Sequence, residues 1–530
     1  LRTLFALALT VLVLAGCGGG NDQTKRDVGW PSWGNVPENT HFADLDQVDR
    51  DNVSGLKVAW TRPGGQGQSA WETFPIVVGR TMYYDTGVDQ VFAVDGATGK
   101  VRWTYSPPVN FLAGPGLELS EPVSRGVTFG ARRIYVTTAD DQLIALDART
   151  GKVRWQTQVV DPETGSTMNS PGTFWRGEIL VGGPAGDAGL RGFVAAYDAA
   201  TGKQLWRTFM VPPPGKGWNR ASGTHGGGDV WMPPTVDPRS GTAYVATGNP
   251  TPGFTAADRP GCNPMADAIV VLDAKTGEIE WSHTLFCNDS WDYDTVQAPM
   301  VIHPVEEGGE STPVVGTGSK AGYYAFFDAL GGRPLARSPF ITRFSRPHLK
   351  PTRRGTVVCP GIYGGIEYGP AALDPTFGHE SIFIAGNQMC QRYKLASREE
   401  VETRAPGEND LGGTVEQVGP ATGVLAALNR VTGKVRWQVK LPRPSNGGVL
   451  ATAGGFAMAG ADDGYLRAFD SRTGKELWRY DLHRRIGSAP IAYEIDGVEY
   501  VAIAAGGSLV EAKGTVPDAP ARLFVFRLGS

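Results

Sequence analysis

Only five cysteines and seven histidines are spread over 530 residues. No Cys-x-x-Cys-His occurs, so no covalently attached c-type haem is expected. With so few nitrogen and sulfur donors, no His/Cys metal cluster stands out. An excess of one charge is missing as well. Fifty basic side chains face 54 acidic ones for a formal net charge of −4, which gives no reason to expect nucleic acid or a basic membrane-binding face. The apolar run from Leu4 to Leu14 is too short to cross a bilayer as a mature helix. What the chain has in quantity is turn chemistry: 72 glycines and 38 prolines suit an all-β chain.

One phrase, Asp-x-x-Thr-Gly-Lys-x-x-Trp, recurs throughout. Copies run from Asp95 to Trp103, Asp147 to Trp155, Asp198 to Trp206, Asp273 to Trp281, Asn429 to Trp437 and Asp470 to Trp478, with a worn copy at Asp328 to Gly332. Each follows an apolar run such as Leu143 to Leu146 and precedes a strand carrying the Trp. The Asp and Thr can bond local N–H groups, and the Gly supplies the positive φ of a bulged hairpin. The Trp can then bury a flat face against the neighbouring repeat. Small antiparallel sheets cannot cover both faces alone, and repetition about an axis solves that problem. The seven copies and a similar strand at Leu56 to Trp60 predict an eight-bladed β-propeller with Trp-docking repeats, closed by Arg522 to Phe526 beside the first strand. This ring overrides the length prior for several domains.

Arg2, the apolar run and Leu14-Ala15-Gly16-Cys17 resemble a bacterial lipoprotein signal. The expected division is a signal peptide over 1–16, a lipidated Cys17 and flexible tether over 17–29, and the propeller over 30–530. The expected location is outside the cytoplasm, lipid-anchored to a bacterial membrane on its periplasmic or cell-surface side. Four cysteines remain, and an exported chain should pair them. Cys262 with Cys287 and Cys359 with Cys390 are nearby pairs, although sequence alone permits others.

The repeated phrase, the opening Trp33-Gly34-Asn35 and the later Asn52-Val53-Ser54-Gly55-Leu56 resemble the pyrroloquinoline quinone (PQQ)-dependent alcohol and sugar dehydrogenases, from about Trp30 to the C-terminus. The resemblance implies roles for scattered residues. Glu72, Arg125, Asn169 and Glu367 match quinone contacts, Arg125 as a carboxylate-binding fork. Trp231 matches the platform on which the planar quinone stacks. Asn249, eighteen residues on, and Asp187, where the family usually has Glu, match metal ligands. Asp292 matches a metal ligand and the catalytic base. Asp294 matches a further metal carboxylate found in lanthanide-using relatives and in calcium- or magnesium-using sugar dehydrogenases. Lys320 matches the cation that polarises the reactive carbonyl.

Those hard oxygen donors favour calcium, or a lanthanide ion, over zinc. The implied reaction oxidises an alcohol, polyol or sugar hydroxyl by hydride transfer to PQQ, with Asp292 accepting the hydroxyl proton. Electrons then pass to a separate acceptor, cytochrome c or a membrane quinone. Three departures point away from a methanol specialist and toward an open pocket. Leu119-Ser120 stands where methanol-type members carry adjacent cysteines, a Trp is missing near Asn446-Gly447-Gly448, and an aromatic cap is missing near Gly506-Gly507. Two other readings are a non-catalytic outer-membrane assembly scaffold and a PQQ-binding sensor.

Overall fold

The computed structural model describes residues 27–64, 70–109, 123–183, 186–212, 218, 226–303, 312–345, 349–375, 380–403, 411–506 and 519–529. The signal segment, Cys17, most of the tether and Leu119-Ser120 lie outside them. Among the described residues no helix is long and apolar enough to cross a membrane.

The fold is an all-β propeller. The described strands form eight sheets of four or five strands, antiparallel except where Phe42–Ala43 joins Val449–Thr452 in parallel, and one parallel two-stranded ribbon; within most sheets the strands are neighbours in sequence order. Thr81–Asp85, Val91–Asp95 and Val101–Tyr105 show why the sequence takes this form. The first two are buried at nearly every position, whereas the third alternates and exposes Arg102 and Thr104. A strand that is apolar on both faces needs a sheet on each side, and an alternating strand sits at a rim.

Between such strands the repeated phrase folds as a bulged turn. Asp95 Oδ1 accepts the N–H groups of Ala97 and Thr98 and the Thr98 hydroxyl. Gly99 has φ +71°, and the register shifts between Ala93 and Val94. The same glycine is also a landing site. A Cβ on Gly99 would stand 2.6 Å from the Trp60 ring, and Trp103, Trp155, Trp206, Trp281 and Trp437 cover Gly151, Gly202, Gly277, Gly332 and Gly474 in the same way. Most of these indoles also donate across the seam, Trp60 to Gly96 O at 3.1 Å and Trp103 to Ala148 O at 3.0 Å among them. The worn copy keeps its glycine and still receives Trp281. Its following strand, Pro334–Arg337, has no Trp, and Gly433 of the next sheet meets the Arg337 backbone instead.

An early strand and the last described one share a sheet. Leu56–Pro63 pairs antiparallel with Arg522–Leu528, Leu56 opposite Leu528 and Pro63 opposite Arg522. The chain preceding it is stitched down as well, since Val28 bridges Glu494 and Trp30 bridges Val77. Both expected disulfides are present, Cys262–Cys287 and Cys359–Cys390. The first ties the segment holding the buried Arg259. The second ties the end of Thr356–Val358 to the long strand Ser381–Leu395.

Candidate active site

The parallel ribbon builds one half of the site. Ala70–Phe74 and Val123–Gly126 lie side by side, Trp71 opposite Ser124, with an irregularity after Trp71. This pairing sets Glu72 against Arg125 across 53 residues of chain. Their side chains are 0% and 3% exposed and meet at 2.8 Å. Arg125 also donates to Asn169 Oδ1 at 2.7 Å. Its guanidinium stands 5.1 Å from the Trp231 ring and 4.8 Å from Tyr368. A buried guanidinium is tolerable only with such partners, and Arg125 Nε still has no hydrogen-bond partner.

A capped loop builds the other half. Asp289 accepts the N–H groups of Trp291 at 3.0 Å and Tyr293 at 2.9 Å, and the Tyr393 hydroxyl donates to Trp291 O at 2.8 Å. Between these fixed points Asp292 adopts φ +63°. A non-glycine residue there costs about 1–2 kcal/mol, a strain that clusters at working sites. Lys320 follows the strand Val314–Ser319, and its N–H donates to Asp294 O at 3.0 Å. Its Nζ is 3.1 Å from Asp292 Oδ2, 2.8 Å from Asp294 Oδ2 and 5.4 Å from the Trp231 ring. Trp231 therefore lies between the two halves.

Asn249 joins the second half, its N–H donating to Asp294 Oδ1 at 2.7 Å. Its side-chain amide stands 3.2 Å from Asp292 Oδ1 and 3.3 Å from Asp294 Oδ1. Turned nitrogen-first it donates to both. Turned oxygen-first it faces two acceptors with no proton between them, an arrangement that a cation relieves.

Electrostatics tie these groups together. Burial, then the Asp294 charge, push the Asp292 carboxyl well above its ordinary range; Lys320 pulls it down and Asp187 pushes it up again. Burial alone would lower the Lys320 ammonium, but Asp292, Asp294 and Glu367 outweigh it and hold it well above the usual lysine range. Burial pushes Glu367 up to about 8, with Lys320 acting the other way, and its Oε1 has no hydrogen-bond partner. Asp187 sits in the one-turn 3-10 segment Gly186–Ala188 and reaches the others through its field.

Sequence reasoning missed three groups. Asp229 is driven well above the carboxylate range by burial, then by Asp294 and Asp187. Its Oδ1 lies over Gly248, where a Cβ would be 2.0 Å away, and has no hydrogen-bond partner. Its place two residues before Trp231 was the available signal. Asp289, which shapes the Asp292 loop, and Tyr368, beside Glu367 and stacked on Arg125, had none beyond proximity. Where a Trp was expected, Asn446 is buried and accepts from the Asn387 amide at 2.5 Å. A Cβ on Gly447 would strike Ser488 O at 2.2 Å.

Comparison with known proteins shows the family. The family model described as "PQQ: Glucose/ethanol/alcohol dehydrogenase, beta-propeller domain" matches residues 30–338 and 419–501. The quinohemoprotein alcohol dehydrogenase of Comamonas testosteroni is 29% identical, over 94% of this chain and 76% of that protein. The lanthanide-dependent methanol dehydrogenase of Methylacidiphilum fumariolicum (strain SolV) is 30% identical, over 91% of this chain and 86% of the relative. Among solved structures, a europium-containing methanol dehydrogenase superposes with a TM-score of 0.86 at 27% identity, covering 94% of this chain and 98% of that one. The family model and these relatives thus define a quinoprotein oxidoreductase acting on alcohols. The chain belongs to the PQQ-dependent glucose/ethanol/alcohol dehydrogenase propeller family.

Proposed function

We propose that this chain oxidises an alcohol, polyol or sugar hydroxyl with PQQ and a calcium or lanthanide ion. One observation carries the reading: Lys320 and Arg125, anchored to separate carboxylate partners, flank the same Trp231 ring at 5.4 and 5.1 Å. The residues suit a flat, polyanionic group and a hard cation. Trp231 would support the ring, with Arg125, Asn169, Glu72 and Glu367 at its polar edge. Asp187, Asn249, Asp292 and Asp294 offer oxygen only. The carboxyl groups of Asp187, Asp292 and Asp294 outnumber the single Lys320 ammonium, which suits a divalent or trivalent cation. When bound, PQQ supplies a two-electron acceptor for the carbinol carbon and the ion supplies a Lewis acid.

The chain's own side chains do the rest. Asp292 Oδ accepts the substrate hydroxyl proton, a role open to it once a cation holds it ionised. Lys320, clamped by Asp292 and Asp294, fixes positive charge where negative charge develops. Asp289 holds the Asp292 loop so that the base is already oriented. Electrons then leave to a separate protein or membrane acceptor. An eight-bladed closed ring is the architecture that the sheet-to-sheet Trp docking supports. A lipid on Cys17 and an extracytoplasmic location are what Leu14-Ala15-Gly16-Cys17 supports.

The test is reconstitution with PQQ and calcium or a lanthanide, followed by dye reduction with alcohols, polyols and aldoses. Asp292→Asn, which cannot act as a base, should lower turnover about a hundredfold or more while retaining PQQ. Bound quinone without turnover on any substrate would favour a sensor, and absence of quinone binding would favour a scaffold.

A further inference from the structure

The sequence shows no His/Cys cluster, yet the fold gathers one histidine and two carboxylates far from each other in the chain. Glu38, Asp237 and His303 each place a donor atom within 4.8 Å of the other two. His303 Nε2 is 3.3 Å from Asp237 Oδ1 and 3.9 Å from Glu38 Oε1. That nitrogen is buried and has no hydrogen-bond partner. The Asp237 side chain is 3% exposed, and those of His303 and Glu38 are 13% and 18% exposed. The group is thus mostly buried, with Glu38 its most exposed member.

The stretches that carry Glu38 and Asp237 are both hydrogen-bonded to the one that carries His303. Glu38 lies on the segment after Trp33, where its carbonyl accepts the Val301 N–H at 2.9 Å. The neighbouring Asn39 amide donates to Ala298 O at 3.0 Å. Asp237 follows the strand Thr235–Val236, whose Thr235 hydroxyl donates to Pro299 O at 2.6 Å. Its carboxylate also accepts the Arg239 N–H at 2.9 Å and the Ser240 hydroxyl at 3.1 Å. His303 follows the strand Met300–Ile302. Three stretches far apart in sequence are therefore already joined around one point before any ion arrives, which lowers the ordering cost of binding.

We propose that Glu38, Asp237 and His303 form a second cation site, separate from the oxygen-only one and selective for a zinc-like divalent ion. One imidazole and two carboxylates, with a position left for water, match the donors and coordination number of zinc and suit calcium poorly. The ion would staple the N-terminal segment to the sheets that carry Asp237 and His303. It plays no part in alcohol oxidation.

The experiment titrates zinc into the full chain, loaded with PQQ and excess calcium, against a chromophoric chelator while the melting temperature is followed. One zinc per chain is expected, and it should raise the melting temperature. His303→Gln should weaken that binding by about tenfold or more, as loss of a ligand does, and abolish the thermal shift, with the dye-reduction rate unchanged. Glu38→Gln, on the more exposed ligand, should weaken it as well and decides the matter if the His303 variant does not fold. His483→Gln, at an 80% exposed side chain beside Asp481, should change nothing. Equal zinc affinity in wild type and Glu38→Gln or His303→Gln, or an equal loss in His483→Gln, would reduce the cluster to an ordinary ion pair.

Discussion

Arg125 and Glu72 form an ion pair where water does not reach, and Asn169 adds a hydrogen bond to the guanidinium. Removing one member of such a pair leaves an uncompensated buried charge and costs about 3–5 kcal/mol. Glu72→Gln should therefore destabilise the protein by about 3 kcal/mol or more in chemical denaturation. Combining it with Arg125→Met should recover part of that loss. His41 poses the opposite case. It is wedged among Trp30, Trp33 and Phe74, neither ring nitrogen has a hydrogen-bond partner, and burial lowers its pKa to about 3. The folded state keeps this imidazole neutral, so protonation does not oppose folding above pH 6.5, where the unfolded chain is neutral too. Below that pH the unfolded state takes up a proton that the folded state refuses. Stability falls by about 1.4 kcal/mol per pH unit down to about pH 3. Between pH 6.5 and 5 the wild type should lose about 2 kcal/mol more than His41→Phe, as read from denaturation midpoints.

At the scale of the element, the repeated turn does two jobs with one glycine. Gly151 has φ +69°, and a Cβ there would meet Trp103 at 2.6 Å; Gly177 has φ +89° and open space around it. Alanine at either position incurs the left-handed backbone cost of about 1–2 kcal/mol. Only Gly151→Ala also pushes the docked indole away, which adds about 1–3 kcal/mol. The difference between the two variants in thermal or chemical unfolding measures the Trp dock itself. Equal losses would mean that the turn, and not the seam between sheets, dominates. The bond pattern of the turn was legible because it is local: Asp, Thr and Gly act on backbone groups within five residues. What the Trp covers is not local, and the phrase alone could say only that a flat apolar face needed a neighbour.

The molecule as a whole depends on an early strand finding the last described one. Val525 and Phe526 are fully buried in the sheet that Arg522–Leu528 shares with Leu56–Pro63. Deleting residues 522–530 removes none of the active-site side chains, but it orphans Leu56–Pro63 and uncovers that core. Such a truncation should lose PQQ binding together with cooperative unfolding, and limited proteolysis should then cut throughout the chain. Retention of PQQ affinity would show that the sheets holding the site are stable without the terminal seam.

The sequence by itself carried the repeat, the turn chemistry, the count of Trp-bearing strands and the resemblance that nominated Arg125, Trp231, Asn249, Asp292 and Lys320. All of these are written in short-range patterns or fixed residue types. Tertiary structure decided what no spacing could express. It set Glu72 against Arg125, made Trp231 the common wall of two charged clusters, added Asp229 and Asp289, and drew Glu38, Asp237 and His303 to one point. Those groups sit on strands and loops that lie far apart along the chain. Their encounters depend on how successive sheets stack, and their charges depend on the water that the stacking excludes.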